Sequence, residues 1–315
     1  MIKFGAITID VSHPLAFSEK LLLGNRGKYT AVFNDGFREN DEVCAFAEKR
    51  GLKICSSVEE LANEADVLMV HACNWDKHLD YARRVAACGK PVFIDKPIVG
   101  SLKDAEELKK LQNEGATILG TSSLRYCKEV KEICDRLDNA GEKVIHVSAT
   151  VGLDEYNYAI HGIELILAIV RDDPKSVKYL GAAEIQQRKC DSFMISFASG
   201  ATAIYQVYLK RFTEFNVTVL TTGGDPDNDR CFKVDNGAFY AAMLDEICNK
   251  LEGKPSRLAT LDDMISSVKV ALAAKCSKES GGKEIKTDSP ELEDVRYDGY
   301  AFEEEYSASA RKIYL

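Results

Sequence analysis

The stretch that decides the fold begins with Val67-Leu68-Met69-Val70-His71 and ends with Val92-Phe93-Ile94-Asp95-Lys96-Pro97. Between these two apolar runs, one helix face is marked by residues at spacing i, i+4, i+7 and i+11, namely Trp75, Leu79, Ala82 and Ala86. Asn74 stands where it can cap that helix. A strand, a helix and a second strand in this order predict two parallel strands of one sheet.

The same alternation runs through the first third of the chain, where further strand candidates cover residues 2–9, 29–33 and 117–119. We therefore predict that residues 1–121 form an α/β domain with a Rossmann-like, doubly wound parallel sheet. From Ser122 the pattern changes, because strands rich in β-branched residues follow one another at 143–151, 191–198, 202–208 and 216–221. Ser199-Gly200 is a hairpin signal between two of them. Residues 122–315 are predicted as an α+β domain with a mainly antiparallel, open sheet and helices at 158–170, 239–251 and 261–277.

Composition bounds the class of protein. The 315 residues are 45% hydrophobic and 29% charged, as in soluble globular proteins. The net charge of -9 argues against a nucleic-acid partner, which would require a basic surface. No run approaches the roughly 18 apolar residues of a membrane span, and the N-terminus enters a strand pattern without a signal peptide. The ten cysteines include no Cys-x-x-Cys pair, so we expect a cytoplasmic protein with reduced thiols. The five histidines form no metal-binding motif, and we predict no metal site.

Polar residues follow four of the five predicted strands of the first domain. Because ligands of parallel sheets bind at the carboxyl ends of the strands, we expect these residues to line a cofactor site. After the four strands come, in order, Thr8-Ile9-Asp10 with Ser12 and His13, then Asn34-Asp35, then Ala72-Cys73-Asn74, and last Asp95-Lys96-Pro97.

The segment Gly89-Lys90-Pro91-Val92-Phe93-Ile94-Asp95-Lys96-Pro97 resembles the Gly-Lys-x-Val-x-x-Glu-Lys-Pro signature of the glucose-fructose oxidoreductase / inositol dehydrogenase (Gfo/Idh/MocA) family. Asn74 and His78 match the Asn-x-x-x-His start of its preceding helix, and residues 241–255 and 272–282 resemble its second domain. The resemblance implies an oxidoreductase that moves hydride between a sugar-like alcohol and NAD, with NADP as the alternative cofactor, and adds His78 to the cofactor site. It also implies a homodimer or homotetramer that associates through the open sheet.

Two residues are candidates for proton transfer. The resemblance implies that Lys96 contacts the reacting hydroxyl as acid or base, although the Asp-Lys-Pro tripeptide alone fits a surface turn equally well. His161 matches the histidine of the family's Asp-x-x-x-His pattern, whereas a lone histidine on an apolar helix is more often a core residue. Asn157 stands in place of the aspartate, and spacing i to i+4 predicts that it shares a helix face with His161. An amide cannot accept a proton as a carboxylate can, so Asn157 favours a reaction other than ordinary alcohol oxidation.

The substrate side is expected to include Tyr158 next to Asn157, and three further residues. Arg125 and Tyr126 resemble the family's Arg-Tyr/Phe segment, and Arg125 could hold a carboxylate or a hydroxyl pair, or serve in an interdomain salt bridge. Glu164 either replaces the missing carboxylate or forms a structural pair. The expected substrate is a small sugar, polyol or sugar acid.

The first loop departs from the dinucleotide fingerprint Gly-x-Gly-x-x-Gly, since Thr8 and Asp10 stand where glycines are expected. Asp10 would repel a pyrophosphate unless it turns away to cap the following helix with Ser12. Asp35 or Asn34 could bind the adenosine ribose, and a plain Asn-Asp-Gly turn is the competing interpretation. Two alternatives therefore stay open, namely a non-redox enzyme of lyase or glycosidase type and a non-catalytic binding protein.

Overall fold

The structure is a computed structural model, and it describes residues 1–223, 230–235 and 237–315. The chain divides into two compact units. Unit 1 comprises Met1–Thr121, Tyr240–Leu261 and Asp298–Leu315, and unit 2 comprises Ser122–Phe239 and Asp262–Tyr297. The division after Thr121 coincides with the predicted boundary. Two segments of the predicted second domain, residues 240–261 and 298–315, pack instead with the first unit.

The sheet of unit 1 is parallel throughout and has the strand order β3-β2-β1-β4-β5-β6. Its strands are β1 (Ile2–Ile7), β2 (Gly27–Phe33), β3 (Lys53–Cys55), β4 (Val67–Val70), β5 (Val92–Ile94) and β6 (Ile118–Gly120). Its crossover helices are α1 (His13–Leu23), α2 (Asn40–Arg50), α3 (Val58–Glu64), α4 (His78–Ala87) and α5 (Leu102–Asn113). This confirms the doubly wound fold, whose strand order reverses between β1 and β4. The sequence did not reveal β3, because two of its three residues are exposed and it carries no apolar periodicity.

The returning C-terminal segment of unit 1 is held by one deeply buried residue. Tyr314 packs edge-on against Phe46, with ring centroids 5.2 Å apart, and its hydroxyl donates to the Val11 carbonyl. Arg26, directly before β2, donates from Nη2 to Asn249 Oδ1 over 3.0 Å and so connects the segment 240–261 to the rest of unit 1. These contacts join positions more than two hundred residues apart, which no local pattern encodes.

Unit 2 contains a seven-stranded sheet with the order β12-β11-β7-β10-β9-β8-β13. The β7–β10 pair is parallel and the other pairs are antiparallel, which confirms the prediction of a mainly antiparallel sheet. The strands are β7 (Val144–Leu153), β8 (Pro174–Ile185), β9 (Arg188–Phe197), β10 (Thr202–Leu209), β11 (Asn216–Thr221), β12 (Arg230–Lys233) and β13 (Ile285–Lys286). Ser199-Gly200 joins β9 to β10 as predicted, whereas β8 was missed.

The helices of the second half of the chain are α6 (Lys128–Ala140), α7 (Ala159–Val170), α8 (Phe239–Leu251), α9 (Leu261–Glu279) and α10 (Gly299–Ser309). α7 lies closely on the sheet at Gly162, where an added Cβ would come within 2.5 Å of a Val151 methyl group. Each of the ten cysteines carries a free thiol. Within the described ranges, no helix combines the length and the apolar character that a bilayer crossing requires.

Candidate functional site

The carboxyl ends of β1, β2 and β4 meet at one edge of the unit 1 sheet, and side chains connect the loops that follow them. Asn34 Oδ1 accepts from the Ile9 amide over 3.2 Å, so the loops after β2 and β1 are joined. Asp10 Oδ2 accepts from the Cys73 amide over 3.1 Å, which joins the loops after β1 and β4. The structure therefore brings the predicted cofactor residues of three loops together at the strand-order reversal.

The loop after β1 has a backbone that suits a glycine fingerprint although it contains polar residues. Thr8 has a φ of 59°, in the left-handed region that favours glycine, and its buried Oγ1 has no hydrogen-bond partner among the described residues. Ser12 makes no side-chain cap, and the first turn of α1 holds no acidic residue. The alternative in which Asp10 and Ser12 cap α1 is therefore contradicted, since Asp10 Oδ2 accepts from the Cys73 amide instead. The N-terminus of α1 is left as a favourable place for an anion such as a pyrophosphate.

Asp10 is enclosed between loops. An added Cβ at Gly36 would lie 2.0 Å from Asp10 Oδ1, so only glycine permits this approach of the loop after β2. Arg38 donates from Nε and Nη2 to the Asp10 backbone carbonyl over 3.1 and 2.9 Å. Burial raises the pKa of Asp10 to about 6, against the lowering effect of its bond with the Cys73 amide.

The two candidate ribose ligands are already engaged by the protein. Asn34 uses both ends of its amide, since Nδ2 donates to the Arg38 carbonyl over 3.2 Å while Oδ1 accepts from Ile9. Asp35 accepts from the Tyr81 hydroxyl. Burial, and then this carboxylate, raise the pKa of Tyr81.

α10 lies on the same strand ends. Glu303 accepts from Asn74 Nδ2 over 2.9 Å and from Lys77 Nζ over 2.8 Å. Ligand atoms of Asp10, Cys73 and Glu303 lie within 4.8 Å of one another. Because the Lys77 ammonium already neutralises Glu303, we interpret this cluster as an ion pair and not as a cation site.

The fit of a dinucleotide to these residues differs between its two halves. The left-handed Thr8 and the uncapped start of α1 fit a pyrophosphate bound through backbone N–H groups. On the adenosine side, the ring of Phe302 packs against Trp75 and that of Tyr306 against Phe37, with centroids 4.9 and 6.0 Å apart. The site fits the cofactor at the pyrophosphate, while α10 packs against Trp75 after β4 and against Phe37 after β2.

A buried hydrogen-bonded chain supports the end of β5. Asp95 Oδ2 lies 2.5 Å from His13 Nδ1 and 3.1 Å from His71 Nδ1, and His71 Nε2 lies 2.8 Å from the Tyr29 hydroxyl. Burial opposes ionisation of Asp95, but the two imidazoles hold its pKa well below the usual range. Asp95 Oδ1 accepts from the Lys96 amide over 2.8 Å. The buried carboxylate thus fixes the backbone that presents the half-buried Lys96.

Several residues that were predicted to bind the cofactor are buried and packed within the protein. His78 is buried, and its ring nitrogens lie 3.0 Å from the Ile98 carbonyl and 2.9 Å from the Ala72 carbonyl. Burial lowers the pKa of His78. The ring therefore connects the loops after β4 and β5. Ala72 and Pro97 are buried, and the Lys96–Pro97 peptide bond is cis.

The predicted substrate residues of unit 2 form a second polar cluster. Glu164 Oε2 accepts from the Ser122 amide over 2.8 Å and from Arg125 Nε over 2.9 Å. The Ser122 hydroxyl lies 2.6 Å from His161 Nδ1. Arg125 Nη2 is buried with no hydrogen-bond partner in the part of the chain that the structure describes. A buried guanidinium donor requires an acceptor, which a bound hydroxyl or carboxylate can supply.

The start of α7 differs from the prediction. Asn157 lies in the turn before the helix, so the shared helix face expected for Asn157 and His161 is wrong. Asp154 Oδ1 accepts from the amides of Tyr156 and Tyr158 over 2.9 and 3.1 Å, which stabilises a turn in place of a further helical turn.

Other residues of this cluster lie near His161. The ring of Tyr158 packs edge-on against His161. Tyr126 ends a short 3-10 helix, Ser123–Tyr126, and is half-buried.

Sequence reasoning assigned no role to three residues of these networks. His71 directly follows β4, and that position alone was a signal for it. Tyr29 lies inside β2 and Glu303 inside an acidic C-terminal helix, and neither has a local feature that marks it.

Comparison with known proteins is informative for the first unit. Residues 16–123 match the model of the GFO_IDH_MocA oxidoreductase family, described by its NAD-binding Rossmann fold. The oxidoreductase YhhX of Escherichia coli (strain K12) is 34% identical over 73 residues, which are 22% of this chain and 21% of that protein. Inositol 2-dehydrogenase of Paracoccus denitrificans (strain Pd 1222) is 29% identical over 83 residues, or 26% of this chain and 25% of that protein. The matched segments span about a quarter or less of these relatives.

A solved structure extends the comparison to the whole fold. A putative myo-inositol dehydrogenase from Sinorhizobium meliloti 1021 superimposes with a TM-score of 0.75 at 16% identity, covering 91% of this chain and all of that one. This likeness shows the fold alone, because the identity is low. Residues 16–123 thus match the GFO_IDH_MocA family model, and the chain as a whole shares the fold of this dehydrogenase structure.

Proposed function

We propose that the protein is an NAD(P)-dependent oxidoreductase that acts on a hydroxyl group of a sugar, polyol or sugar acid. The observation that carries the proposal is the placement of Lys96 directly after β5, on a backbone held by the buried Asp95. Bound NAD would supply the hydride acceptor. Lys96 would act as the general base that takes the hydroxyl proton of the substrate and then returns it to solvent. NADP is the alternative cofactor.

His161 is the proposed assisting residue, on the basis of its match to the family histidine. Its Nδ1 is held by Ser122, which fixes the orientation of the ring. The unpaired Arg125 Nη2 supports a role in holding a substrate oxygen. Asn157 and Tyr158 are proposed to contact the substrate from the turn before α7, while Glu164 orients Arg125.

The test is turnover with NAD and a panel of polyols, sugars and sugar acids, followed by the absorbance of reduced nicotinamide. Lys96→Ala should lower kcat at least about 100-fold, as expected for loss of a general acid or base, with NADH affinity within about threefold. Lys103→Ala is the matched control, because Lys103 is an exposed lysine of unit 1 on α5. Unchanged turnover in Lys96→Ala would defeat the assignment.

A non-redox enzyme of lyase or glycosidase type is the second candidate. Asn157 favours it, because an amide cannot accept a proton as the carboxylate of the family's Asp-x-x-x-His pattern can. Product formation without net change in nicotinamide absorbance would favour this candidate.

We also propose that the chain forms a homo-oligomer through the open face of the unit 2 sheet. Neighbouring strands present Ile204 and Met194 on this face, both half-buried, and Leu220 at the β11 position is exposed. Sedimentation equilibrium would test this, and a monomer at micromolar concentration would refute it.

A further inference from the structure

α10 places both an aromatic and an anionic group at the strand ends where a dinucleotide would lie. The rings of Phe302 and Tyr306 stack on each other, with centroids 5.6 Å apart and an interplanar angle of 21°. This pair bridges Trp75, after β4, and Phe37, after β2. Aromatic faces of this kind are the partners on which a planar base would stack.

The carboxylate of Glu303 complements the two rings. It lies in the same turn of α10 and is bound by Asn74 Nδ2 and Lys77 Nζ. An amide N–H group and an ammonium group bind a phosphate oxygen as well as they bind a carboxylate oxygen. α10 thus carries a planar apolar group and an anion in the combination found in an adenine nucleotide.

α10 is held less firmly than the chain on its C-terminal side. Of its residues only Gly299 is buried, and Phe302, Glu303 and Tyr306 are each half-buried. Tyr314, in contrast, is 1% exposed. Elements with few buried apolar contacts open at the lowest free-energy cost. Of these two parts of the C-terminal segment, α10 is therefore the one that should open at the lower free-energy cost.

We propose that α10 is an internal lid on a nucleotide subsite formed by Phe37, Trp75, Asn74 and Lys77. The ligand class is the adenosine phosphate half of a dinucleotide, and binding displaces the rings and Glu303 together. Lys77 and Asn74 then exchange a carboxylate for a phosphate, and the base replaces the stacked rings. The inference rests on the proposed function, because it takes NAD(H) as the ligand.

The experiment measures NADH binding by isothermal titration calorimetry with the full chain. The double variant Phe302→Ala/Tyr306→Ala removes the rings and should tighten binding about tenfold, since aromatic pairs of this kind contribute enough for that factor. Tyr300→Ala is the matched control, because Tyr300 is a tyrosine of the same helix that is 59% exposed. It should leave the affinity unchanged. If the double variant does not fold, Glu303→Gln serves as the test, because it preserves the size of the side chain. It should also tighten binding.

Hydrogen–deuterium exchange supplies a readout that does not depend on the variants. NADH should accelerate amide exchange in residues 299–309 and leave that of residues 312–315 unchanged. Slower exchange in α10, or equal NADH affinity of the double variant, Glu303→Gln and the unmodified chain, would overturn the lid while the proposed function stands. Failure of every variant to bind NADH would overturn both the lid and the proposed cofactor.

Discussion

Asp10 should make the stability of unit 1 depend on pH in a direction opposite to that of an ordinary surface carboxylate. Its pKa is raised from 3.8 to about 6, first by burial and further by the nearby Glu303. Asp10→Asn is the perturbation, because the amide oxygen still accepts from the Cys73 amide but carries no charge.

The sign follows from proton binding. Between about pH 4 and pH 6 the unfolded chain has lost the Asp10 proton while the folded chain keeps it, so stability falls as the pH rises through this window. The rise of the pKa from 3.8 to about 6 corresponds to a loss of about 3 kcal/mol in the free energy of unfolding. This loss is complete once the pH is well above 6. Asp10→Asn should therefore exceed the unmodified chain in free energy of unfolding by up to about 3 kcal/mol at pH 7, and match it near pH 4.

Urea unfolding from pH 4 to pH 8, followed by tryptophan fluorescence, measures the difference. Trp75 is the single tryptophan and lies buried in unit 1, so it reports the relevant transition. Asp41→Asn is the contrasting control, because a hydrogen bond with Lys312 lowers the pKa of the exposed Asp41 and its replacement should lose stability above pH 4. A difference for Asp10→Asn that does not change with pH, or a loss of stability at pH 7, would refute the reasoning.

Two further substitutions test the loop after β1 and the C-terminal anchor. Thr8→Gly should raise the free energy of unfolding by about 1 kcal/mol, because it relieves a left-handed β-branched residue and removes an unpaired buried hydroxyl; a lower midpoint in urea at constant m-value would contradict this. Tyr314→Ala should cost about 3–5 kcal/mol through the cavity beside Phe46, whereas Tyr314→Phe should cost about 1 kcal/mol through its lost bond to Val11. A cost below 1 kcal/mol for Tyr314→Ala, measured by thermal or urea unfolding, would show that the segment is not part of the unit 1 core.

The parts of the fold that could be predicted are those with a local cause. The buried strands β4 and β5 read as continuous apolar runs, and α4 between them carries its apolar stripe at helical spacing. The turn at Ser199-Gly200 was likewise encoded by its own residues. In the strands and the helix, the spacing of the apolar side chains follows directly from which face of the element is buried.

The parts that could not be predicted depend on distant partners. α10 has an acidic sequence without a clear apolar stripe, and its position comes from Trp75 and Lys77, more than two hundred residues away. Asn157 was misplaced because a side-chain bond from Asp154 competes with helix formation at this point. The sequence predicted that the residues after the strands lie near one another. Spacing along the chain could not show which of them form hydrogen bonds with each other.

The departures at Thr8 and Asp10 are explained by a change in what approaches the loop. In a glycine fingerprint the absent side chains make room for the ligand. Here the necessary glycine is Gly36, whose missing Cβ makes room for the Asp10 carboxyl group. Close packing at this point is therefore between two protein loops, and the uncapped start of α1 is the remaining place for an anion. A cofactor bound there would meet a carboxyl group that burial helps to keep neutral below about pH 6, so the repulsion expected from an ionised Asp10 should grow as the pH rises.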